Sequence, residues 1–394
     1  MAPGSPVLSI VMPIYNMAPW LGPALESCLA QTHADIDVVV VDDGSLDNGA
    51  DIATAYALLD SRVRLVRQAN AGAGAARSAG QRAAQGDYIT WLDADDFLDG
   101  RAAEAWLSGA GRGEDMVCGN AVAFSSRTFN ARRYFYHPAA AGMRFDTAPR
   151  YWKSKVLWRW IFSLPFVRAG GFTHPPYKLG QDVCFMYQAL SRAGTFSQVS
   201  PYVYYFRQEH KSAHASLETR VEHGFAHFKE VRRILLEPPE GPPRFKPFVK
   251  YLNENYWRDI KKTAPLLSGG DAHWEKRIVE LGLELFKGLD PAWFQEKALS
   301  PDLRPRPDFL PLAEAFIRGD AEAVTAIFQS LRAQAGPLAP DKASPLHSVR
   351  HGLKSLFNPL SHKAFLRLRT LESRAARRKG VPRPEKGRAV VGGR

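Results

Sequence analysis

The sequence of 394 residues lacks any long hydrophobic run, and it contains only three cysteines. Its purely apolar stretches, such as Val38–Val41, fall far short of the about 18 residues needed to cross a bilayer. The start, Met1–Pro6, has no charged side chain and does not resemble a signal peptide. The widely spaced cysteines, Cys28, Cys118 and Cys184, form neither a disulfide framework nor a metal-binding pattern. We therefore predict a cytoplasmic protein with reduced, buried cysteines.

Internal repeats and low-complexity segments are absent as well, and the composition is ordinary. Hydrophobic residues make up 45 % of the chain and charged residues 23 %, values typical of globular proteins. This composition excludes a collagen-like chain and a wholly disordered one. The length predicts two or three domains of about 100–200 residues each, with enough residues for a core in each.

The formal net charge of +12 is concentrated at the C-terminal end of the chain. Residues 344–394 contain 13 Lys and Arg against two acidic residues, so this segment holds +11 and the preceding residues only +1. Apolar residues recur every three to four positions between Leu346 and Leu371, which is typical of a basic helix on an anionic membrane. We expect residues 344–379 to bind such a membrane surface, the alternative being a helix that packs on the preceding region. Basic and aromatic residues do not alternate there, so nucleic acid is not the expected partner, and a nucleic-acid-binding or scaffold protein is the alternative class.

Strand-like and helix-like segments alternate through the first 125 residues. Apolar runs predict five strands, at Val7–Tyr15, Ile36–Val41, Val63–Val66, Tyr88–Leu92 and Met116–Ala123. Helical spacing of apolar residues predicts helices at Ala18–Gln31, around Ala50–Leu59 and near Ala75–Ala84. Such alternation indicates βαβ units, hence an α/β, Rossmann-like fold with a mostly parallel sheet flanked by helices. Ligands of these sheets bind beyond the carboxyl ends of the strands.

The pattern changes twice further along the chain. Residues 126–216 are less regular and rich in aromatic residues, and from Leu217 onward the spacing becomes helical. The glycine and prolines of Gly336–Pro345 are typical of a linker. We therefore predict an α/β domain over residues 1–216, a helical accessory domain over 217–343, and a basic, partly disordered tail over 344–394.

Two acidic clusters follow predicted strands, where the ligand of the sheet is expected. Asp42 and Asp43 follow the second strand and could serve as turn residues or accept a hydrogen bond from a nucleotide base. Asp93-Ala94-Asp95 follows the fourth strand. Its carboxylates are the hard oxygen ligands that suit Mg²⁺ or Mn²⁺ bound to a diphosphate.

Four motifs in order, taken together, resemble the family 2 glycosyltransferases of GT-A fold. They occur at Ser9–Asn16, Val41–Asp47, Asn70–Arg77 and Trp91–Asp96. The resemblance covers about residues 7–216 and implies an inverting, metal-dependent, hexosyltransferase-type enzyme that uses a nucleotide-diphosphate sugar. The expected acceptor is a glycan or a lipid-linked acceptor of the cell envelope or an exopolysaccharide. The sugar, the anomer and the oligomeric state stay open.

The resemblance implies roles for five donor-site residues and one metal ligand. Pro13 and Tyr15 would line the nucleotide pocket, with Tyr15 against the base. Asp43 would accept the imide proton of the base, which favours uracil or thymine over guanine, and a UDP-sugar is the expected donor. Arg77 would reach the nucleotide or its phosphates, and Asp93 the ribose or a metal-bound water. Asp95 would ligate Mn²⁺ or Mg²⁺ directly.

The resemblance also implies a general base. Asp182 matches the aspartate that removes the proton of the acceptor hydroxyl, a step that inversion by single displacement requires. Gln181 stands where the family usually has glutamate, so we expect a difference either in a contact to the acceptor or in an interaction behind it. The aromatic residues Trp158 and Trp160 could stack on an acceptor sugar or belong to the core.

A later segment resembles the aromatic–Arg–His–Ser motif that closes over the pyrophosphate. It assigns Arg207 and His210 to pyrophosphate binding. One extra residue separates the two here, so His214 is the alternative to His210.

Two other nucleotide-using classes share parts of this pattern. Gly72-Ala73-Gly74 imitates a dinucleotide fingerprint, but it follows the third strand and Arg77 occupies the position of the last glycine. A nucleotidyltransferase would carry a glycine-rich basic loop after the first strand, and Pro13–Met17 is not one. A sugar-nucleotide-binding or nucleotidyltransferase-like protein is therefore the alternative to a glycosyltransferase.

Overall fold

The computed structural model describes residues 7–111, 113–128, 130–153, 156–208, 216–267, 272–295 and 307–335. The basic tail at 344–394, with the segment 344–379 predicted to bind membranes, lies outside the described residues. His210 and His214 also lie outside them.

The described residues form ten strands that join one sheet. They are β1 (Leu8–Ile14), β2 (Ile36–Asp42), β3 (Val63–Arg67), β4 (Tyr88–Trp91), β5 (Phe97–Leu98), β6 (Met116–Ser125), β7 (Asn130–Phe135), β8 (Ala140–Met143), β9 (Trp160–Ser163) and β10 (Phe196–Arg207). The main order is β3-β2-β1-β4-β9-β6-β10-β5, with β7 beside β6 and β8 beside β10. All five strands predicted from apolar runs are present.

The sheet is parallel in its first half and mixed in its second. Strands β3, β2, β1 and β4 run parallel, as do β6 and β10. The short strand β9 is antiparallel to both β4 and β6 and joins the two halves. Strand β9 had no signal in the sequence, because four residues between two loops carry too little periodicity.

Helices flank the sheet, and the described elements that follow β10 in the chain are helices. They are α1 (Ala18–Leu29), α2 (Gly49–Leu59), α3 (Ala73–Ala83), α4 (Ala102–Ala110), α5 (Leu164–Ala169), α6 (Gln181–Arg192), α7 (Leu217–Thr219), α8 (Ala226–Leu236), α9 (Phe245–Tyr251), α10 (Trp257–Thr263), α11 (Ala272–Phe286), α12 (Ala292–Gln295), α13 (Leu310–Arg318) and α14 (Ala321–Ala335). Two π-helical stretches, Arg220–Phe225 and Leu252–Tyr256, connect α7 to α8 and α9 to α10. No described residue after β10 belongs to a strand, so the predicted helical region is helical where it is described.

Helix α3 lies unusually close to the sheet because its inner face is made of small residues. Gly74, Ala76, Ala79 and Gly80 are buried there. A Cβ atom on Gly80 would overlap the side chain of Val11 in β1. This close approach holds Arg77, on the same helix, near the ends of the parallel strands.

The helical region packs directly on the α/β part through helix α6. The rings of Tyr187 in α6 and Tyr251 in α9 lie 5.1 Å apart and meet edge to face. Residues of both regions belong to one continuous hydrophobic cluster. The end of α6 that carries Asp182 therefore lies between the sheet and the helical region.

Two further sequence predictions can be compared with the structure. Cys28, Cys118 and Cys184 are all free thiols and buried, as predicted. Among the described residues, no helix is both long and apolar enough to span a membrane.

Candidate active site

Predicted donor-site residues lie at the carboxyl edge of the parallel strands. Strand β1 pairs with β2 on one side, where Ile14 lies opposite Asp42, and with β4 on the other. The turns that follow these three strands are therefore neighbours. These turns contain Tyr15, Asp43 and Asp93, respectively.

Tyr15 offers an exposed ring at this edge. Its side chain is 43 % exposed. The next residue, Asn16, has a positive φ of 54°. Its backbone N–H donates to Ser45 Oγ (3.1 Å), and its side-chain oxygen accepts from the Leu46 N–H (2.7 Å). These two hydrogen bonds thus join the turn after β1 to the turn after β2, so the backbone at Tyr15 lies next to the turn that contains Asp43.

Asp43 is almost completely buried and holds a neighbouring loop. Its Oδ1 accepts from Gln68 Nε2 (2.7 Å) and the Ala71 N–H (2.9 Å), and its Oδ2 accepts from the Gly72 N–H (2.8 Å). An ionised carboxylate has about four acceptor positions, so one remains beside Gly72. The predicted bond to a nucleotide base stays a prediction, and the loop before α3 depends on Asp43 in any case.

Arg77 connects the acidic loop after β4 with helix α6. Its guanidinium forms a salt bridge with Asp93 (2.8 Å), and its side chain is 11 % exposed. Burial lowers the pKa of Arg77, but the charges of Asp93 and Asp182 more than offset this and raise it. Arg77 is therefore a permanent cation between two carboxylates that are distant in sequence.

Asp182 lies in the first turn of α6. Burial raises the pKa of its carboxyl, while the charge of Arg77 and the backbone N–H groups of Val183 and Asp182 itself oppose that rise. A carboxylate with a raised pKa is a stronger base, which suits proton abstraction.

The residues around Asp182 determine how α6 begins. Gly180 precedes the helix with a φ of 85°, and a Cβ there would overlap the ring of His227. Gln181 is buried, and its Oε1 accepts the Asp182 N–H (3.0 Å). In this structure Gln181 therefore serves the start of the helix, and the predicted contact to the acceptor stays a prediction.

Asp96 was missed by the sequence analysis. Its side chain is buried, with Oδ1 accepting the Arg207 N–H (2.6 Å) and Oδ2 accepting the Tyr204 hydroxyl (2.7 Å). Burial raises its pKa well above the ordinary value, and the charges of Asp95 and Asp93 raise it further. Asp96 therefore fastens the acidic loop to β10, a strand more than a hundred residues away.

Arg207 is built into the same loop. Its side chain is buried, its Nε donates to the carbonyl of Asp95 (2.7 Å), and its guanidinium lies over the rings of Trp20 and Phe124. The structure thus makes Arg207 a support for the acidic loop. Its predicted contact with the pyrophosphate stays a prediction.

We expect Asp96→Ala to lower the free energy of unfolding by about 2–4 kcal/mol, because two buried donors lose their acceptors. In Asp96→Asn the loss is smaller, since Oδ1 still accepts the Arg207 N–H. The Asp96 carboxyl binds its proton more tightly in the folded protein than in the unfolded chain. The stability of the wild type therefore falls as the pH rises from 3.8 toward the raised pKa of Asp96. The Asn variant should lack this part of the pH dependence. Urea unfolding of both variants over pH measures these effects, and equal losses for Ala and Asn would contradict the assignment.

Trp158 and Trp160 belong to the core. Trp160 is 0 % exposed and packs edge to face on Tyr151 and Phe196. Trp158 is 8 % exposed and stacks on Tyr204 at 4.2 Å. The suggestion that the two rings stack on an acceptor sugar finds no exposed ring face here, and the core alternative accounts for both residues.

The acidic loop fits a divalent cation that is held jointly with a diphosphate. Asp93 already forms a salt bridge with Arg77, and Asp96 accepts hydrogen bonds from Tyr204 and Arg207. Asp95 lies between them, partly exposed, on a loop whose backbone is fixed. No group of three or more His, Cys, Asp or Glu side chains within the described ranges could hold a metal alone. One carboxylate plus phosphate oxygens and water is a usual ligand set for Mg²⁺.

The solved structures with the same fold include those of S. aureus TarS. S. aureus TarS 1–349 in complex with UDP-GlcNAc matches with a TM-score of 0.68 and 16 % identity, covering 83 % of this chain and 92 % of that one. The same TarS segment in complex with UDP matches with a TM-score of 0.66. Together with the strand-end carboxylates, this likeness defines the protein as one of the GT-A fold.

The sequence comparisons then specify the family. The model described as Glycosyl transferase family 2 matches residues 9–164. EpsJ of Bacillus subtilis, an uncharacterized glycosyltransferase, is 29 % identical over 52 % of this chain and 62 % of its own length. The glycosyltransferase GlyG of Streptococcus pneumoniae is 37 % identical over 34 % of this chain and 44 % of its own length. Residues 9–164 thus match the family 2 glycosyltransferases, and the resemblance seen in the sequence is confirmed. The matches span less than two thirds of either relative.

Proposed function

We propose that this protein transfers a sugar, with inversion, from a nucleotide-diphosphate donor to a glycan or lipid-linked acceptor of the cell envelope or an exopolysaccharide. The observation that carries the proposal is the position of Arg77, which pairs with Asp93 of the acidic loop and interacts electrostatically with Asp182. This arrangement gathers the donor-side and acceptor-side groups that such a transfer needs. The TarS structures with UDP-GlcNAc and UDP support a UDP-sugar as the donor.

The donor would lie across the carboxyl ends of β1, β2 and β4. In this proposal the exposed ring of Tyr15 stacks on the base above Pro13, and Asp43 accepts the imide proton at its remaining acceptor position. Arg77 faces the phosphates while its salt bridge keeps Asp93 in place for the ribose.

Asp182 acts on the acceptor side. Its carboxylate takes the proton of the acceptor hydroxyl as that oxygen forms the new bond to the anomeric carbon. The bond from the anomeric carbon to the diphosphate breaks, and the nucleoside diphosphate leaves with the electron pair. Because the two oxygens lie on opposite sides of the anomeric carbon, a single displacement inverts its configuration.

Asp95 is the residue that would hold Mn²⁺ or Mg²⁺ together with the donor's diphosphate. When bound, the ion would stabilise the negative charge that develops on the leaving diphosphate. The protein's own part is to keep this carboxylate in position, which Arg207 does through the Asp95 carbonyl.

A screen for nucleotide release tests the proposal. The full chain is incubated with UDP-, GDP- and dTDP-sugars, glycan or lipid-linked acceptors, and Mn²⁺ or Mg²⁺. We expect UDP to be released from a UDP-sugar, faster with an acceptor than without one. No release of any nucleotide under any of these conditions would contradict the proposal. Tight binding of a sugar nucleotide without turnover would favour a sugar-nucleotide-binding protein instead.

Association with the inner face of a membrane is the remaining part of the proposal. It rests on the charge and apolar spacing of residues 344–379, which lie outside the described residues. This association stays a prediction from sequence.

A further inference from the structure

A cavity of about 220 Å³ lies next to Asp182, on the side that faces the helical region. Gly180, Asp182 and Val183 at the start of α6 form one wall. The π-helical stretch after α7, with α8, α9 and α10, forms the rest. The predicted general base therefore opens into a space whose other walls come from a part of the chain that has no assigned role.

Three cations line this cavity. Arg220 comes from the π-helical stretch, and Arg258 and Lys262 come from α10. Arg258 and Lys262 are four residues apart, so they project from the same face of the helix. Both are exposed. The two elements thus place three cationic residues along a space that Asp182 also lines.

Two carboxylates lie among these cations, but both already have a positive partner. Asp259 forms an ion pair with Arg258 (Nε to Oδ1, 3.3 Å), and Asp182 faces Arg77. Lys262 has no ion-pair partner among the described residues. The cavity therefore keeps an excess of positive charge, which favours an anionic ligand.

The cavity is separate from the predicted donor site. Of the residues proposed for donor and metal, none lines it: not Pro13, Tyr15, Asp43, Arg77, Asp93 or Asp95. The proposed general base, Asp182, does line it. A ligand in the cavity would accordingly approach the base from the acceptor side.

We infer that this cavity binds an anionic group, a phosphate or a carboxylate, that the acceptor glycan carries near its reacting hydroxyl. The inference rests on the proposed function and specifies its acceptor. Arg258 can hold such a group with parallel N–H donors, and Lys262 adds a point charge from the same helix face. Holding the anion there positions the hydroxyl beside Asp182, where orientation contributes strongly to rate.

Binding of three small probes to the full chain tests the inference. The probes are glucose, glucuronate and glucose 6-phosphate at constant ionic strength, measured by ligand-detected NMR, with UDP binding measured in parallel. We expect at least one anionic probe to bind about tenfold more tightly than glucose, because charge-assisted hydrogen bonds are about twice as strong as neutral ones. Glucuronate against glucose 6-phosphate distinguishes a carboxylate ligand from a phosphate ligand.

A pair of double variants with equal change of charge provides the control. Arg258→Gln with Lys262→Gln should reduce binding of the anionic probe about tenfold and leave UDP binding unchanged. Lys246→Gln with Lys276→Gln removes two exposed cations of the same region outside the cavity and should change neither.

Three outcomes would overturn the inference. They are no binding of either anionic probe, equal binding of all three probes, or equal losses in the two double variants. If wild-type protein also fails to bind UDP, the proposed function is wrong as well. Intact UDP binding with no preference for an anion overturns the inference alone.

Discussion

Replacement of Asp182 by asparagine is expected to lower kcat by about 10²–10⁴-fold while UDP binding stays close to that of the wild type. Asparagine has nearly the same shape and can remain at the start of α6, but it cannot accept the proton of the acceptor hydroxyl. Arg77 keeps its salt bridge with Asp93 in this variant, so the donor side is preserved. Steady-state nucleotide release gives kcat, and calorimetry gives the affinity for UDP.

Asp35→Asn is the matched control for this experiment. Asp35 is exposed and directly precedes β2, at the amino edge of the sheet, opposite the site. The same chemical change there should leave kcat and UDP affinity unaltered. A kcat near that of the wild type in Asp182→Asn would show that another group takes the proton.

The pH profile gives a second readout for the same residue. Because burial raises the pKa of Asp182, the wild-type rate should fall on acidification at a pH above 3.8, as the base becomes protonated. The residual activity of Asp182→Asn should lack this acid limb. Circular dichroism over the same range separates loss of the base from loss of the fold.

Replacement of Asp95 by alanine is expected to lower turnover by about 100-fold or more and to abolish the effect of Mn²⁺ on UDP affinity. The backbone carbonyl that accepts from Arg207 is unchanged in this variant, so the loop should keep its position. Calorimetric titration of UDP with and without Mn²⁺, for wild type and variant, measures the change.

The two variants should differ in a way that identifies their roles. Asp182→Asn should bind UDP in a metal-dependent manner like the wild type, whereas Asp95→Ala should bind UDP equally weakly with and without the ion. Chelation should inactivate the wild type reversibly. If Asp95→Ala keeps the response to Mn²⁺, the assignment of Asp95 as the metal ligand is wrong.

The acidic loop shows why supporting residues are difficult to find in a sequence. Asp93 and Asp95 stand in a recognisable triplet after an apolar strand, and this pattern is local. The side chain of Asp96 is instead buried and bonded to Tyr204 and Arg207, and 108 residues separate it from Tyr204. A local pattern carries no signal for such a pair. The same holds for Arg207, whose guanidinium supports the loop from a strand at the far side of the sheet.

The location of Trp158 and Trp160 also depends on contacts that the local sequence does not reveal. Trp158 and Trp160 stand in a segment with little periodicity, so the sequence allowed either an acceptor contact or the core. Burial decided the question, because β9 places Trp160 between β4 and β6 in the middle of the sheet. Strand β9 has only four residues and pairs antiparallel with both neighbours, and no apolar run in the sequence predicted it.

The sequence by itself determined the parallel strands, the helices between them, and the acidic residues at the strand ends, because these depend on periodicity and on turn residues close together in the chain. Only the tertiary structure decided which of these residues meet. It brought Arg77 between Asp93 and Asp182, and it placed Arg258 and Lys262 of the helical region around a cavity beside Asp182. The physical reason is that such contacts depend on how helices pack across a sheet, and packing depends on the whole shape of the core.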